Sequence, residues 1–317
     1  MTVSIKEAER VEVLTLQDNY IDLVSGDSTE ILKRALPSKG SGTRKSILAE
    51  HGFSALLSVF SGGSCRRVLF DFGFSEHGAA SNVEALDVDL AGVEALALSH
   101  GHIDHRGGLK ELVERVGRKR IELVVHPAAF RHPRYMKRSE QNKTYFAQFS
   151  REDVQRMGVR VTESREPYPL LDGCVLFLGE IPRTNPFEKG MAGACYESDG
   201  VEKIDPIEDD TAIVANVRGK GLVVLSGCAH SGIINTVQYA KKVTGIDKVF
   251  AVMGGFHLTG PDYAAAVKPT TDALKKIGPR YVVPAHCTGR TAQAYIEKEM
   301  KDEFLLNMVG TRLILST

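Results

Sequence analysis

Three histidines and an aspartate fall within six residues of this chain. They are His100, His102, Asp104 and His105, and they follow directly on an apolar stretch at 93–98. Neutral imidazole and carboxylate donors together suit Zn²⁺ or a similar first-row divalent ion. Four ligands on so short a loop cannot converge on one tetrahedral ion without severe backbone strain. The spacing therefore predicts two neighbouring ions, with His100 and His102 on one and Asp104 and His105 on the other.

The elements on either side of this loop favour a metal site over a solvated histidine-rich loop. An apolar strand precedes it, and a helix over 109–117 follows, with apolar residues at helical spacing and Gly117 as a C-terminal stop. The candidate ligands therefore lie on a loop between a strand and a helix. The two elements hold the loop in place, and its irregular backbone can present several side chains to one site.

A dinuclear site needs more ligands than this loop supplies. We expect them at the ends of later strands, because ligands gather at one edge of a sheet. The apolar run 222–227 leads into Cys228 and then His230, and the run 281–285 leads into His286. Asp71 ends an earlier strand, where its carboxylate can hold the histidine loop in place.

The elements that must position these residues alternate between strands and helices in two successive halves. The pattern predicts an α/β (α+β) fold, a four-layer αββα sandwich of two mixed sheets flanked by helices, as a single domain over 1–317. Predicted strands lie at 11–16, 53–60, 67–72, 93–99, 121–125, 174–179, 211–217, 221–226, 248–253, 281–283 and 312–315. Predicted helices lie at 109–117, 233–243, 269–277, with Pro269 in its first turn, and 291–304.

The alternation of strand and helix patterns is interrupted between residues 126 and 169. Prolines punctuate this segment, which is rich in lysine and arginine and poor in acids. It predicts a basic excursion that overhangs the site, with a merely solvated basic loop as the alternative.

Composition narrows the classes of function. The chain has 317 residues, of which 43% are hydrophobic. It has 40 basic and 40 acidic residues, so no net charge favours binding to nucleic acid or to a membrane surface. Five cysteines without CxxC spacing, no apolar leader and no long apolar run indicate a reducing, cytoplasmic setting. The number of subunits is left open.

The motif HxHxDH at 100–105, the upstream turn at 69–73 and the late apolar strand that ends in His286 resemble the metallo-β-lactamase superfamily. Several further stretches resemble its branch of 7,8-dihydropterin-6-methyl-4-(β-D-ribofuranosyl)aminobenzene 5'-phosphate synthase-like proteins. They are residues 50–54, 179–183, 209–210, 227–232, 254–258 and 285–289.

The resemblance implies His100 and His102 on the first metal, and Asp104, His105 and His286 on the second. Cys228 falls where the superfamily usually has a bridging aspartate and sometimes a cysteine. In the superfamily a further turn carries the histidine that completes the first metal site, and that turn has no counterpart here. The remaining ligand of the first metal is therefore left open among Glu180, His230 and His257. His51 is expected in the pocket wall.

The expected cofactors are two divalent ions, with Zn²⁺ first and Mn²⁺ or Fe as alternatives. Two such ions can share a water and lower its pKa toward neutrality, so hydrolysis is the expected chemistry. Asp104 would hold the hydroxide and accept its proton, and His230 or His257 would steady the charged transition state.

The expected partner is a small anionic molecule, a phosphoester or a pterin- or sugar-phosphate. Basic residues of 126–169, Arg183 and the run 39–45 would bind its phosphate. The alternatives are a metal-dependent sensor without turnover and a synthase acting on a dihydropterin precursor. A redox di-iron enzyme is disfavoured because His102 stands where such relatives carry glutamate, and a nuclease because no large cap domain is present.

Overall fold

Two mixed sheets stack face to face in the computed structural model, which describes residues 2–35 and 45–317. The strands are β1 (Glu7–Ala8), β2 (Arg10–Gln17), β3 (Leu32–Lys33), β4 (Ser54–Ser61), β5 (Ser64–Phe70), β6 (Val93–Ala97), β7 (Glu122–Val125), β8 (Arg134–Ser139), β9 (Asn142–Tyr145), β10 (Arg160–Glu163), β11 (Tyr168–Leu170), β12 (Val175–Phe177), β13 (Ala194–Ser198), β14 (Val201–Ile204), β15 (Ala212–Val217), β16 (Gly221–Ser226), β17 (Val249–Gly255), β18 (Tyr281–Ala285) and β19 (Arg312–Ser316). The helices are α1 (Gly78–Ala85), α2 (Ile103–Arg106), α3 (Leu109–Val116), α4 (Arg151–Arg156), α5 (Ile233–Thr244), α6 (Ala264–Ile277) and α7 (Arg290–Glu299).

The first main sheet has the strand order β10-β7-β6-β5-β4-β2-β19-β3, and the second has the order β11-β12-β15-β16-β17-β18, with β1 paired to β15. In the first sheet, β5, β6 and β7 run parallel. In the second, β16, β17 and β18 run parallel. Each parallel set therefore brings its loops to one edge of its sheet.

Alternating side chains along the strands build three apolar layers. Val68 and Phe70 of one sheet meet Val223 and Leu225 of the other in the central layer. The opposite face of the second sheet packs against α5, α6 and α7, and the opposite face of the first against α1, α3 and α4. This order of helix, sheet, sheet and helix confirms the predicted αββα sandwich.

Two helix boundaries differ from the prediction. Helix α6 begins at Ala264, so Pro269 lies inside it, and the carbonyl of the exposed Ala265 has no N–H partner there. Helix α7 ends at Glu299, five residues before the predicted end at 304. The chain beyond it runs along β18 instead, where Val282 pairs with residues 303–305 through backbone hydrogen bonds.

The prediction of a single excursion over 126–169 is wrong in its extent. Strands β8 and β9 form a third, antiparallel sheet with β13 and β14 from residues 194–204. Strand β10 extends the first main sheet and β11 extends the second. Residues 160–169 are thus part of the sandwich, because these short strands extend the edges of both sheets.

No helix in the described ranges is long and apolar enough to cross a membrane.

Candidate metal centre

The candidate ligands meet where strands of the two main sheets end. The histidine loop follows β6, and Asp104 and His105 lie in the short helix α2. Cys228 and His230 follow β16, and His286 follows β18. The histidine loop packs so closely that a Cβ at Gly101 would lie 2.3 Å from the carbonyl oxygen of Ala129. Glycine is therefore required between the first two histidines.

Two groups of ligand atoms are present, and Cys228 belongs to both. One contains Asp104, His105, Cys228 and His286, and the other contains His100, Cys228 and His230. Within each group the ligand atoms lie within 4.8 Å of one another. Nε2 of His105 is 3.1 Å from Sγ of Cys228, and Nε2 of His230 is 3.2 Å from Nε2 of His100.

His102 lies beside the second group. Its ring centroid is 4.5 Å from that of His100 and 4.9 Å from that of His230, and Phe146 packs against its other side at 5.0 Å. Its Nε2 is buried without a hydrogen-bond partner among the described residues.

Hydrogen bonds at Nδ1 orient three of these imidazoles with Nε2 toward the centre. Nδ1 of His105 donates to Oδ2 of Asp71 at 2.6 Å. Ser99 donates to the same carboxylate at 2.7 Å, and its hydroxyl oxygen lies 2.9 Å from Nδ1 of His100. Nδ1 of His286 lies 3.1 Å from Oδ1 of Asn19. Such outer contacts select the tautomer whose free nitrogen can bind a metal.

The donor set fits divalent metal ions. Nε2 of His286, like that of His102, is buried and has no hydrogen-bond partner among the described residues. Nε2 of His286 lies 3.2 Å from Oδ2 of Asp104. Burial lowers the pKa of His102 to about 3 and that of His286 to about 4, and it also lowers the pKa values of His100 and His230. Neutral imidazole is the form that binds a metal. Burial likewise raises the pKa of the Cys228 thiol, which a bound cation would reverse.

Asp104 is the partly exposed carboxylate of the centre, with 15% of its side chain open to solvent. Its Oδ2 lies 3.4 Å from Nε2 of His51, an exposed residue at the mouth of the site. Burial raises the pKa of Asp104, but the imidazoles of His105, His286 and His51 outweigh it and hold that pKa below its ordinary value. Burial lowers the pKa of His105, and the carboxylates of Asp104 and Asp71 raise it above its ordinary value.

Of the three alternatives for the remaining ligand, only His230 lies in a ligand group of the described residues. Glu180 lies 2.6 Å from Nη1 of Arg165 and 3.5 Å from Nε2 of His126, outside both groups. The ring of His257 packs against His230 at 4.3 Å between centroids and against Tyr263 at 4.6 Å. Arg183 donates to the backbone carbonyl of Pro206.

Several basic residues of 126–169, which were expected to bind a phosphate, form ion pairs within the protein. Buried Arg134 pairs with Asp205 at 2.5 Å and with Asp209 at 2.9 Å, and Lys137 and Lys143 both pair with Glu202. Asp209 also accepts a hydrogen bond from the backbone N–H of Gly101 at 2.8 Å. These three acids come from outside the segment, and Arg134 supports the histidine loop through Asp209.

Arg131 follows the same pattern, since it pairs with Asp205 and with Glu208. Of the run 39–45, residues 39–44 lie outside the described part of the chain, and Lys45 pairs with Glu84.

Two residues of the centre were missed by sequence reasoning. Asp18 accepts from the backbone N–H of His286 at 2.9 Å, and Asn19 contacts the ring of that histidine as well as Nδ1 of His51 at 3.2 Å. Both come directly after β2, so the rule that polar residues at strand ends gather at one edge would have found them.

Comparisons with known proteins agree with this geometry. Residues 62–286 match the profile of the metallo-β-lactamase superfamily. The chain is 32% identical over 312 residues to 7,8-dihydropterin-6-methyl-4-(beta-D-ribofuranosyl)-aminobenzene-5'-phosphate synthase from Methanocaldococcus jannaschii, with 96% of each chain covered.

Two solved structures share the fold. Tm1679, a metal-dependent hydrolase of the β-lactamase superfamily, superposes with a TM-score of 0.71 at 23% identity, over 97% of this chain and 100% of that one. The metallo-β-lactamase fold protein YhfI from Bacillus subtilis gives a TM-score of 0.51 at 12% identity, over 97% and 100% of the two chains.

Proposed function

This chain belongs to the metallo-β-lactamase superfamily, as its motifs indicate, and from that premise we propose that it is a hydrolase with two divalent metal ions. The observation that carries the proposal is the pair of ligand groups that share Cys228. Imidazole, thiolate and carboxylate donors in one centre favour Zn²⁺.

We assign Asp104, His105 and His286 to one ion, His100, His102 and His230 to the other, and Cys228 to a position between them. When bound, a pair of divalent ions lowers the pKa of water and polarises the oxygens of a scissile ester. His230 then serves as a ligand, which leaves His257 and His51 as the imidazoles that face the substrate.

Asp104 is the proton acceptor of this proposal. Its side chain is the one ionised, partly exposed carboxylate of the first ligand group, so Oδ2 can take a proton from the attacking water. His51, at 3.4 Å, orients that oxygen and then shares the proton. His257 stands next to His230 on the side of a cleft, where its imidazole can hydrogen-bond the leaving oxygen.

The proposed substrate is a small phosphorylated molecule. This part of the proposal is supported by the relative from Methanocaldococcus jannaschii, whose name describes a 5'-phosphate compound. The ion-paired cations of 126–169 do not contribute to it, because their charge is already balanced inside the protein.

The test is release of phosphate or alcohol from a panel of phosphomonoesters and phosphodiesters by protein loaded with Zn²⁺ or Mn²⁺. Asp104→Asn, which keeps the shape of the side chain, is expected to lower kcat by about 10²–10⁴-fold, the usual contribution of a positioned proton acceptor. The variant should keep its melting temperature within a few degrees. Near-native turnover by Asp104→Asn would assign the proton transfer to another group.

The same relative favours a second candidate, a synthase that acts on a dihydropterin precursor. Mass spectrometry distinguishes the two. A hydrolase adds the elements of water to each ester. A synthase given a phosphorylated aryl riboside and a dihydropterin that carries a leaving group on its side chain yields one joined product and releases that group with the displaced proton.

A further inference from the structure

An apolar groove opens on the surface next to the metal centre. It has a volume of about 550 Å³ and lies between residues 186–195, the end of β14 and the start of α6. Its apolar lining includes Phe187, Met191, Ile204, Tyr263, Ala265 and Ala266. Lys189 and Asp262 supply its charged groups. This size and this lining are typical of a site for a small molecule.

A small cavity of about 30 Å³, lined by His230 and His257, adjoins the groove on the side of the centre. Phe187, Tyr263 and Ala266 line both spaces. The phenol of Tyr263 donates to the carbonyl of Gly190 at 3.3 Å, and its ring packs edge-on against His257. A ligand in the groove therefore lies one aromatic ring away from the metal-facing histidines.

From these shared lining residues we infer that the groove binds a planar aromatic group of the substrate, the part that does not react. This inference rests on the proposed function and adds a determinant of specificity to it. The lining combines the aromatic rings of Phe187 and Tyr263 with the small side chains of α6, and aromatic rings pack favourably against a flat ring system. Ile204 is 82% exposed, which is unusual for isoleucine and is explained if a ligand covers it.

The first test measures binding of two inert probes to the zinc-loaded protein by calorimetry. 1-Naphthylphosphonate and methylphosphonate carry the same charged group, and only the former has rings to place in the groove. We expect naphthylphosphonate to bind at least tenfold more tightly. Equal affinities, or no binding of the naphthyl compound, would overturn the inference.

Two pairs of variants test whether the preference for the naphthyl compound arises in this groove. Ile204→Gln should lower the naphthyl preference severalfold, and Val201→Gln, at an exposed apolar residue of the same strand that does not line the groove, should not. Ala266→Trp should abolish the preference by filling the slot, whereas Ala264→Trp, two residues earlier in α6 and outside the lining, should retain it. Both glutamine substitutions are at exposed positions, so they leave the fold intact.

A preference that survives both Ile204→Gln and Ala266→Trp would place the ring elsewhere and overturn the inference. The readout is binding and does not depend on turnover. Failure of the proposed hydrolysis would therefore leave the ratio of the two affinities unchanged.

Discussion

Three imidazoles of the centre are oriented by what their second nitrogen contacts. Asp71 holds His105, Ser99 joins Asp71 to His100, and Asn19 holds His286. A carboxylate, a hydroxyl and an amide thus perform one task, which is to keep Nδ1 occupied and Nε2 free. Removal of such a contact commonly lowers metal affinity by about 10–100-fold.

The geometry separates His230 from His257 as ligands, although the two rings touch. His230→Ala should lower the metal content from two ions per chain to about one, because Nε2 of His230 lies 3.2 Å from that of His100. His257→Ala and Glu180→Ala should retain two ions and differ from the native protein only in turnover, if at all. Elemental analysis after saturation with Zn²⁺ and gel filtration gives the stoichiometry. Two ions in His230→Ala, together with one in His257→Ala, would reverse the assignment.

At the scale of elements, the histidine loop is held by a strand that lies far from it in sequence. Arg134, at the start of β8, is buried and pairs with Asp209, which binds the backbone of Gly101 between two candidate ligands. Arg134→Met should lower the free energy of unfolding by about 3–5 kcal/mol, because it leaves the buried carboxylate of Asp209 without its cation and leaves Asp205 with Arg131 alone. Urea denaturation measures this loss.

Arg218→Met is the matched control for that experiment. Arg218 is 54% exposed and lies 3.7 Å from its acidic neighbours, so its removal should cost far less stability. A similar, small effect of both substitutions would mean that solvent reaches the Arg134 cluster.

This cluster also shows where prediction from sequence ends. The strands that carry ligands were predicted because apolar runs such as 222–227 and 281–285 end in potential ligands, which is a local pattern. The partners of Arg134 lie 71 and 75 residues away, so no local pattern reveals that its charge is balanced. The third sheet escaped prediction for the same reason, since β8 pairs with β13 and exposed short strands carry little apolar periodicity.

At the scale of the whole molecule, the centre joins the two sheets. His100, His102, Asp104 and His105 come from the first sheet, and Cys228, His230 and His286 come from the second. The central apolar layer holds the sheets together along their length, and the ligand loops meet at one edge of it. Metal ions bound there would cross-link the two sheets in addition to the contacts of the apolar layer.

Metal loading should therefore raise the melting temperature of the whole protein. An ion that binds only the folded state stabilises it by about 2.7 kcal/mol at a free concentration 100 times its Kd, less any binding to the unfolded chain. For a chain of this size, each kcal/mol shifts the melting temperature by roughly 2–4 °C. Because Cys228 belongs to both ligand groups, Cys228→Ala should lose most of that shift, whereas Cys65→Ala, at an exposed thiol of β5, should keep all of it. Thermal unfolding after dialysis against a chelator and again after addition of Zn²⁺ measures both shifts. If native protein with two bound ions melts at the same temperature as the metal-free protein, the ions do not join the sheets and act only in the chemistry at their edge.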